Sequence, residues 1–322
     1  MSIDRSVAVG VEIGGGQAAV ALIDRHGRVR RRCLAKTLRA RPVAATLEPY
    51  LRAIDTMLAA ARMEGLQVCG IGVSVPGTID YTTRRPLLVS LLPALNSFPL
   101  CDFLATRYHL PTCLHADVDA AVQGEYRFGA GQGFHRLFFL TVNAVVGAAL
   151  VVNGELVQSE QQYIGHICHL PITTAGLRCS CGKRGCINTL VSIDAMQRMV
   201  QRALRRGDET TLAQRFLNHE YFSLQLLAEE AARGDSVAVG VYSEVGRWLG
   251  AALTRYVDLY EPDVLILGGG ILHAGDLLLT PVRTALNAGS ARSSSRVCSM
   301  VEVVPASLGR DVALIGAVAQ LF

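Results

Sequence analysis

Four residues between Tyr163 and Thr189 constrain this chain more tightly than any other feature. In YIGHICHLPITTAGLRCSCGKRGCINT, His169, Cys179, Cys181 and Cys186 are spaced H-x9-C-x-C-x4-C, and Gly182 and Gly185 let the backbone turn tightly between the sulfurs. One imidazole and three thiolates suit tetrahedral zinc with every position filled, so the expected ion is structural and not hydrolytic. Cys168 stands beside His169 and reads either as a spare ligand or, as its i, i+1 placement favours, as pointed away from such a site. Cys33, Cys69, Cys101, Cys113 and Cys298 fall mostly in apolar runs and read as small buried thiols. Nine cysteines in a chain with no secretory start argue against a disulfide framework.

The 322 residues can bury a large core and are enough for two lobes, and half of them are apolar with only 18% charged. This is the profile of a compact α/β protein. The start, MSIDRSVAVGVEIGGG, runs straight from a few polar residues into a strand-like stretch and lacks the parts of a signal peptide, which predicts a cytoplasmic protein. Only Leu137 to Val152, LFFLTVNAVVGAALVV, approaches membrane length. It is short, holds Thr141 and Asn143, and is broken by Gly147, so it reads as two buried strands joined by a turn, and no membrane partner is expected. The densest basic cluster, DRHGRVRRR from Asp24 to Arg32, surrounds a turn at His26-Gly27 and reads as a solvated hairpin face. About six residues precede the first predicted strand, too few for an N-terminal helix-turn-helix, so direct nucleic-acid binding is not expected.

Along the chain, Val7 to Ile13 and Ala18 to Ile23 predict a strand hairpin around Gly14-Gly15-Gly16, followed by a third strand at Val29 to Ala35. Such a turn exposes backbone N–H groups that can cradle phosphate, although three glycines are equally compatible with a plain turn. Leu47, Leu51, Ile54, Met57 and Leu58 recur at helical spacing within Ala44 to Met63. The buried run Val68 to Asp80 breaks at Ser74-Val75-Pro76-Gly77, a loop at the carboxyl end of a strand, where open α/β sheets place ligands. Gly77 is therefore a contact candidate, as is Asn96 in the loop Pro93 to Pro99. His115-Ala116-Asp117-Val118-Asp119 ends a short strand and opens an Ala-rich helix. Asp119 is expected as its N-cap, while Asp117, at the strand tip, is the candidate general base.

Beyond the metal loop, helix is predicted to about Arg205, then two short helices, the second ending near Gly234, and a long amphipathic helix at Val237 to Leu259. A strand at Val264 to Leu267 runs into Gly268-Gly269-Gly270 and then a helix, a plausible nucleotide-contact turn. Val301 to Pro305 is a strand and Asp311 to Leu321 a terminal helix.

In this order the pieces resemble the ROK family of repressors, open reading frames and sugar kinases over essentially the whole chain. The metal loop is the most specific part: the family's E-x-G-H run and C-x-C-G-x-x-G-C-x-E correspond here to His166-Ile167-Cys168-His169 and to Cys179 through Asn188. The resemblance implies the actin-like ATPase (ribonuclease H-like) fold, two α/β lobes with a cleft between them. An N-terminal lobe at 1–128, completed by a C-terminal helix at about 311–322, would precede a larger lobe at 129–310 that carries the zinc loop. Relatives are commonly dimers, which makes a homodimer the expectation.

The same resemblance assigns roles and exposes departures. Glu12-Ile13-Gly14-Gly15-Gly16 stands for the family's first phosphate loop, D-x-G-G-T, and Ala116-Asp117-Val118-Asp119-Ala120 for its catalytic N-D-A-N-A run, where Asp117 is kept and the sugar-holding Asn has become Ala116. The second phosphate loop, G-T-G-x-G, is Asn143-Ala144-Val145-Val146-Gly147, so two of its glycines are gone. The late turn Gly268-Gly269-Gly270, which in the family faces the nucleotide, is intact. Both family glutamates that hold sugar hydroxyls are replaced, by His166 and Asn188.

Losing those acceptors removes hydrogen bonds worth on the order of 1 kcal/mol each, so an ordinary aldohexose should bind poorly. His166 can donate and titrate near neutrality, which suits a different hydroxyl pattern or an anionic group. The resemblance therefore implies an ATP-dependent phosphotransferase on an atypical sugar or sugar-like polyol. Asp117 would act as base, Mg²⁺ would be held near Glu12, and structural Zn²⁺ would brace the loop that carries His166 and His169 toward the ligand. The alternative is a non-catalytic effector-binding or regulatory protein with a degenerate ATP and sugar site.

Overall fold

The apolar run expected as the first strand is β1, Ser6–Glu12, and every residue from Val7 to Val11 is buried. Burial on both faces requires layers on both sides of the sheet. In the computed structural model, which describes residues 5–14, 17–38, 41–89, 91–158, 164–290 and 301–322, the chain divides into two units. The first takes Met1–Gly133, Val151–Gln162 and Ser307–Phe322, and the second Phe134–Leu150 and Tyr163–Ala306.

In the first unit β1 is followed by β2 (Gln17–Asp24), β3 (Val29–Lys36), α1 (Val43–Met63), β4 (Gln67–Val75), a small hairpin of β5 (Thr78–Asp80) and β6 (Arg85–Leu88), α2 (Leu100–Tyr108), β7 (Thr112–Ala116) and α3 (Asp117–Phe128). The sheet order is β3-β2-β1-β4-β7. The first three strands form the antiparallel meander read from the sequence, and β4 and β7 join β1 in parallel. The basic hairpin is a solvated face as expected: Asp24 Oδ1 accepts from the N–H groups of His26 and Arg28 in its turn, and Arg30 and Arg31 pair with Asp24 and Glu64.

The two faces of this sheet are built differently. Val7, Val9 and Val11, with Ile71, Val73 and Val75 of β4, meet Leu47, Tyr50, Ile54 and Met57 of α1, so the helical spacing identified the buried stripe correctly. The opposite face is made of small residues, Ala8, Ala19 and Ala21 among them, and packs against Leu314, Ile315 and Val318 near the C-terminus. Here backbone meets backbone. A Cβ on Gly72 would overlap the carbonyl oxygen of Ala317, and one on Gly316 would overlap that of Ala120 in α3.

The second unit runs β8 (Arg136–Val142), β9 (Val146–Val152, whose last two residues belong to the first unit), α4 (Ile187–Val191), α5 (Ile193–Arg206), α6 (Thr211–Leu217), α7 (Leu224–Ala232), α8 (Ser236–Tyr260), β11 (Val264–Gly268), α9 (Asp276–Ser290) and β12 (Glu302–Pro305), while β10 (Glu155–Leu156), between β9 and α4, belongs to the first. Its sheet orders β9-β8-β11-β12, with β11 parallel to both neighbours, and β10 pairs with the end of β9. The apolar run at 137–152 is therefore two strands, and among the described residues no helix is long and apolar enough to cross a membrane.

The sequence reading missed α2 and the β5–β6 hairpin. The expected terminal helix at 311–321 is also shorter: α10 spans Val312–Gly316 and is followed by a 3-10 turn at Ala319–Leu321. Close packing of Gly316 on α3 and donation from Cys113 Sγ to the Ala317 carbonyl, at 3.2 Å, divert the backbone from a regular helix.

Glu125 of α3 is fully buried and clasps the point where the chain returns to the first unit. Its carboxylate accepts from Ser307 N–H (2.9 Å), Ser307 Oγ–H (3.0 Å), Leu308 N–H (2.9 Å) and Ala130 N–H (2.8 Å). Glu125→Ala leaves four donors without their acceptor and is expected to cost about 3 kcal/mol or more of stability, with Glu125→Gln losing less. The urea midpoint measures it, and a loss below about 0.5 kcal/mol for the alanine variant would show the clasp to be energetically idle.

Candidate functional site

Three parallel strands of the first unit end in one row. Glu12 of β1 lies opposite Ser74 of β4, and Ser74 opposite His115 of β7, one residue before Ala116 hands the chain to α3. Carboxyl ends of parallel strands carry no further ladder partners, which is why ligand groups collect there. Burial, with the nearby Asp311 and Asp117 carboxylates adding to it and Arg32 opposing it, pushes the Glu12 carboxyl up to about 7. Arg32 itself bonds Asp311 at 3.1 Å. His115 is 3% exposed, neither ring nitrogen has a hydrogen-bond partner among the described residues, and burial pushes it down to about 4, so the ring is neutral at physiological pH.

Asp117 is the first residue of α3. Its side chain keeps contact with solvent, yet the protein atoms crowded around it raise the carboxyl to about 6 even though Oδ1 accepts the Val118 N–H at 2.9 Å. The N-cap is Ala116, with no side-chain cap, so Asp119 is not the cap that the sequence suggested. It sits in the first turn, and its Oδ2 accepts from the Tyr81 hydroxyl at 2.5 Å, with burial lifting it to about 6. The same hydroxyl accepts from the Ala116 N–H at 3.3 Å. Tyr81 thus ties the strand end to the helix start, and burial next to Asp119 drives its own pKa well above the usual phenol value. Sequence reasoning passed over it because a lone tyrosine after a strand carries no motif.

The remaining candidates of this unit have structural engagements. Gly77 has φ of 132°, and a Cβ there would overlap the Leu88 carbonyl. Asn96 Oδ1 accepts from Val89 N–H at 2.8 Å. The Gly14 carbonyl accepts from Thr37 Oγ at 2.8 Å, while Gly15 and Gly16 lie outside the described residues.

In the second unit, Gly268 ends β11, where a Cβ would press on the Phe139 ring, and Gly269, with φ of 91°, lies against the Val142 carbonyl at the end of β8. Between β8 and β9, Asn143 Oδ1 accepts the Gly270 N–H at 2.8 Å, and its Nδ2 donates to Thr141 Oγ at 3.3 Å. Asn188 Oδ1 accepts the Val146 N–H at 3.0 Å. Val145 is 56% exposed, Val146 is buried, and Gly147 lies within β9. Two carboxamides thus take two backbone donors of this turn region. His166 falls in a 3-10 turn at Ile164–His169, and its side chain lies outside the described residues.

The metal quartet assembles. One ligand atom from each of His169, Cys179, Cys181 and Cys186 lies within 4.8 Å of the other three. His169 Nδ1 is 3.3 Å from Cys179 Sγ, and Cys181 Sγ is 3.7 Å from Cys186 Sγ. A zinc tetrahedron has S···S edges of roughly 3.8 Å and N···S edges of roughly 3.5 Å, given Zn–S and Zn–N bonds of about 2.3 and 2.05 Å. The donor set therefore fits the ion. A Cβ on Gly185, with φ of 65°, would overlap the Thr173 carbonyl, and Cys179 N–H bonds the Lys183 carbonyl at 2.7 Å, which folds the loop on itself. Cys168 is buried and lies outside the quartet, and burial, with the neighbouring Cys179 and Cys181 thiols adding to it, raises its thiol to about 11.

The ROK family model matches residues 8–321. A glucokinase of Streptomyces coelicolor is 28% identical over 316 residues, which cover 97% of this chain and 96% of the relative. The crystal structure of a ROK family glucokinase from Streptomyces griseus, in complex with glucose and AMPPNP, is 28% identical with a TM-score of 0.78 and 98% coverage of each chain. A ROK family transcriptional regulator, a homologue of the Escherichia coli MLC protein, superimposes with a TM-score of 0.88 at 23% identity, over 98% of this chain and 78% of that one. The fold is the actin-like ATPase fold of these structures.

An acid held above its unfolded value favours the fold while protonated, and that advantage is lost as pH rises through the folded-state value. For Glu12 the window runs from about 4.5 to about 7. Glu12→Gln has no proton to lose, so its unfolding free energy relative to wild type should climb by on the order of 2 kcal/mol across that window. Urea unfolding at both ends measures it, and a pH-independent difference would refute the assignment.

Proposed function

The chain belongs to the ROK family, and from that premise we propose that it is an ATP-dependent phosphotransferase acting on a hydroxyl of a sugar-like polyol, with Asp117 as general base. The observation that carries this reading is the Asp117 carboxyl itself: solvent-facing, at the tip of a parallel strand, and raised to about 6, so that it is a carboxylate at neutral pH with more basicity than an ordinary aspartate. The carboxylate takes the proton of the attacking hydroxyl as that oxygen adds in line to the γ-phosphorus of ATP. The bond to the β,γ-bridging oxygen breaks, ADP leaves, and Asp117 returns its proton to solvent. Mg²⁺ entering with the nucleotide supplies charge neutralisation. Glu12, crowded by Asp117 and Asp311, is the carboxylate that a hard cation would relieve. His115, neutral and buried at the end of β7, adds no competing charge.

An atypical substrate follows from the replaced contacts. Ala116 offers no side-chain hydrogen bond, and the Asn188 oxygen is already used by the Val146 N–H, so neither acts as its family counterpart would toward sugar hydroxyls. The quartet of His169 and three cysteines would hold structural zinc, which orders the loop leading into α4 and takes no part in the transfer. A second reading, a non-catalytic effector-binding protein, is favoured by one observation: the Gly270 N–H in the late glycine turn is already taken by Asn143.

Coupled ADP-release assays over sugars, amino sugars and cyclitols separate the two. Turnover is expected with at least one of them, falling by about 10²- to 10⁴-fold in Asp117→Asn, and kcat/KM should rise with pH through about 6. No turnover on the whole panel, or full turnover by the asparagine variant, sinks the kinase reading. Independently, metal analysis of the purified protein should find about one zinc per chain, and Cys181→Ser should lose it together with thermal stability. A metal-free protein of unchanged stability would remove zinc from the account.

A further inference from the structure

We propose that Asn143 is a built-in plug of the nucleotide turn, an intramolecular stand-in for the anion that the Gly270 N–H would otherwise receive. The inference rests on the reading of Gly268-Gly269-Gly270 as the nucleotide-facing turn, and it concerns how that turn is regulated.

The geometry is specific. β11 delivers Gly269 in a conformation with φ of 91°, against the end of β8, where a Cβ would collide with the Val142 carbonyl and crowd Thr141 Oγ and the Asn143 amide oxygen. The next N–H, that of Gly270, lies 2.8 Å from Asn143 Oδ1. An amide N–H serves one strong acceptor at a time, so a phosphate oxygen can use this donor only after the carboxamide has left it. The plug is held from its other side as well, by the bond from Nδ2 to Thr141 Oγ. The turn that carries it is anchored by two further bonds: Asn188 Oδ1 accepts the Val146 N–H, and the Asn143 carbonyl accepts the Ile193 N–H at 3.1 Å.

Removal is nevertheless feasible. Asn143 is exposed, so a displaced carboxamide is solvated by water, whereas a phosphate oxygen forms a charge-assisted bond stronger than the amide's. The plug therefore lowers nucleotide affinity without abolishing it. It sets a threshold by competition, and the nucleotide gains only the difference between the two bonds.

The test is calorimetric titration of wild-type protein, Asn143→Ala and Asn143→Asp with Mg·ADP. The alanine variant should bind about five- to tenfold more tightly, the factor expected when one neutral hydrogen bond no longer has to be displaced. The aspartate variant should bind at least tenfold more weakly, because a carboxylate holds the N–H more firmly and repels phosphate. Hydrogen exchange separates an unplugged turn from a damaged one. In the alanine variant without nucleotide the Gly270 amide should exchange faster than in wild type, and added Mg·ADP should slow it, while the rest of β11 stays protected. Unchanged or weaker Mg·ADP binding by Asn143→Ala, or no binding by any of the three proteins, overturns the plug. Tighter binding by Asn143→Ala with no turnover on any sugar keeps the plug and removes the kinase reading alone.

Discussion

The position of α3 depends on backbone touching backbone. Gly316 of α10 lies on the Ala120 carbonyl, and Gly72 of β4 on the Ala317 carbonyl, so sheet, α10 and α3 approach one another without intervening side chains. Such contacts cannot yield by rotamer change, because no rotamer is involved, and a methyl group on either glycine would force the layers apart. Since Asp117 is the first residue of α3, this packing decides where its carboxylate lies. Glu125 near the far end of the helix and Tyr81 at its start secure the same element with hydrogen bonds. The apolar contacts of the other sheet face contribute stability, but they leave more latitude in position.

Around that helix start, carboxylates are concentrated where protein atoms crowd them. Glu12 and Asp117 both bind protons more tightly than ordinary acids do, and His115 binds one less tightly, all for the same reason: burial disfavours the charged form. The cost is borne where a cation or a reacting hydroxyl could recover it. In the second unit the polar groups follow a different logic. The Val146 N–H of the β8–β9 turn and the Gly270 N–H of the late glycine turn are satisfied internally by two asparagine side chains, and one imidazole and three thiols converge on one point.

Much of the fold was legible because periodicity and spacing are local. The β1–β2–β3 meander, the buried stripe of α1, the β8–β9 pair within the apolar run and the Cys/His quartet each sit in one short stretch of chain, where one interaction type dominates. The misses share a cause. Asp119 resembled a helix cap, and only its bond to a hydroxyl 38 positions earlier shows that it is held by Tyr81 instead. The terminal helix was drawn too long because its truncation comes from packing on α3 and on β4, which the local pattern does not contain.

The sequence alone determined the family, the metal quartet and the retained Asp117, because those depend on residue identity at fixed spacing. It also showed that Asn143 and Asn188 depart from the family pattern, but not what the departures do. That was decided only in three dimensions, where Asn143 reaches Gly270 across 127 positions of chain and Asn188 reaches Val146 across 42. A hydrogen bond is set by the meeting of a donor and an acceptor in space, and nothing in the spacing of these residues along the chain specifies which N–H a carboxamide will meet.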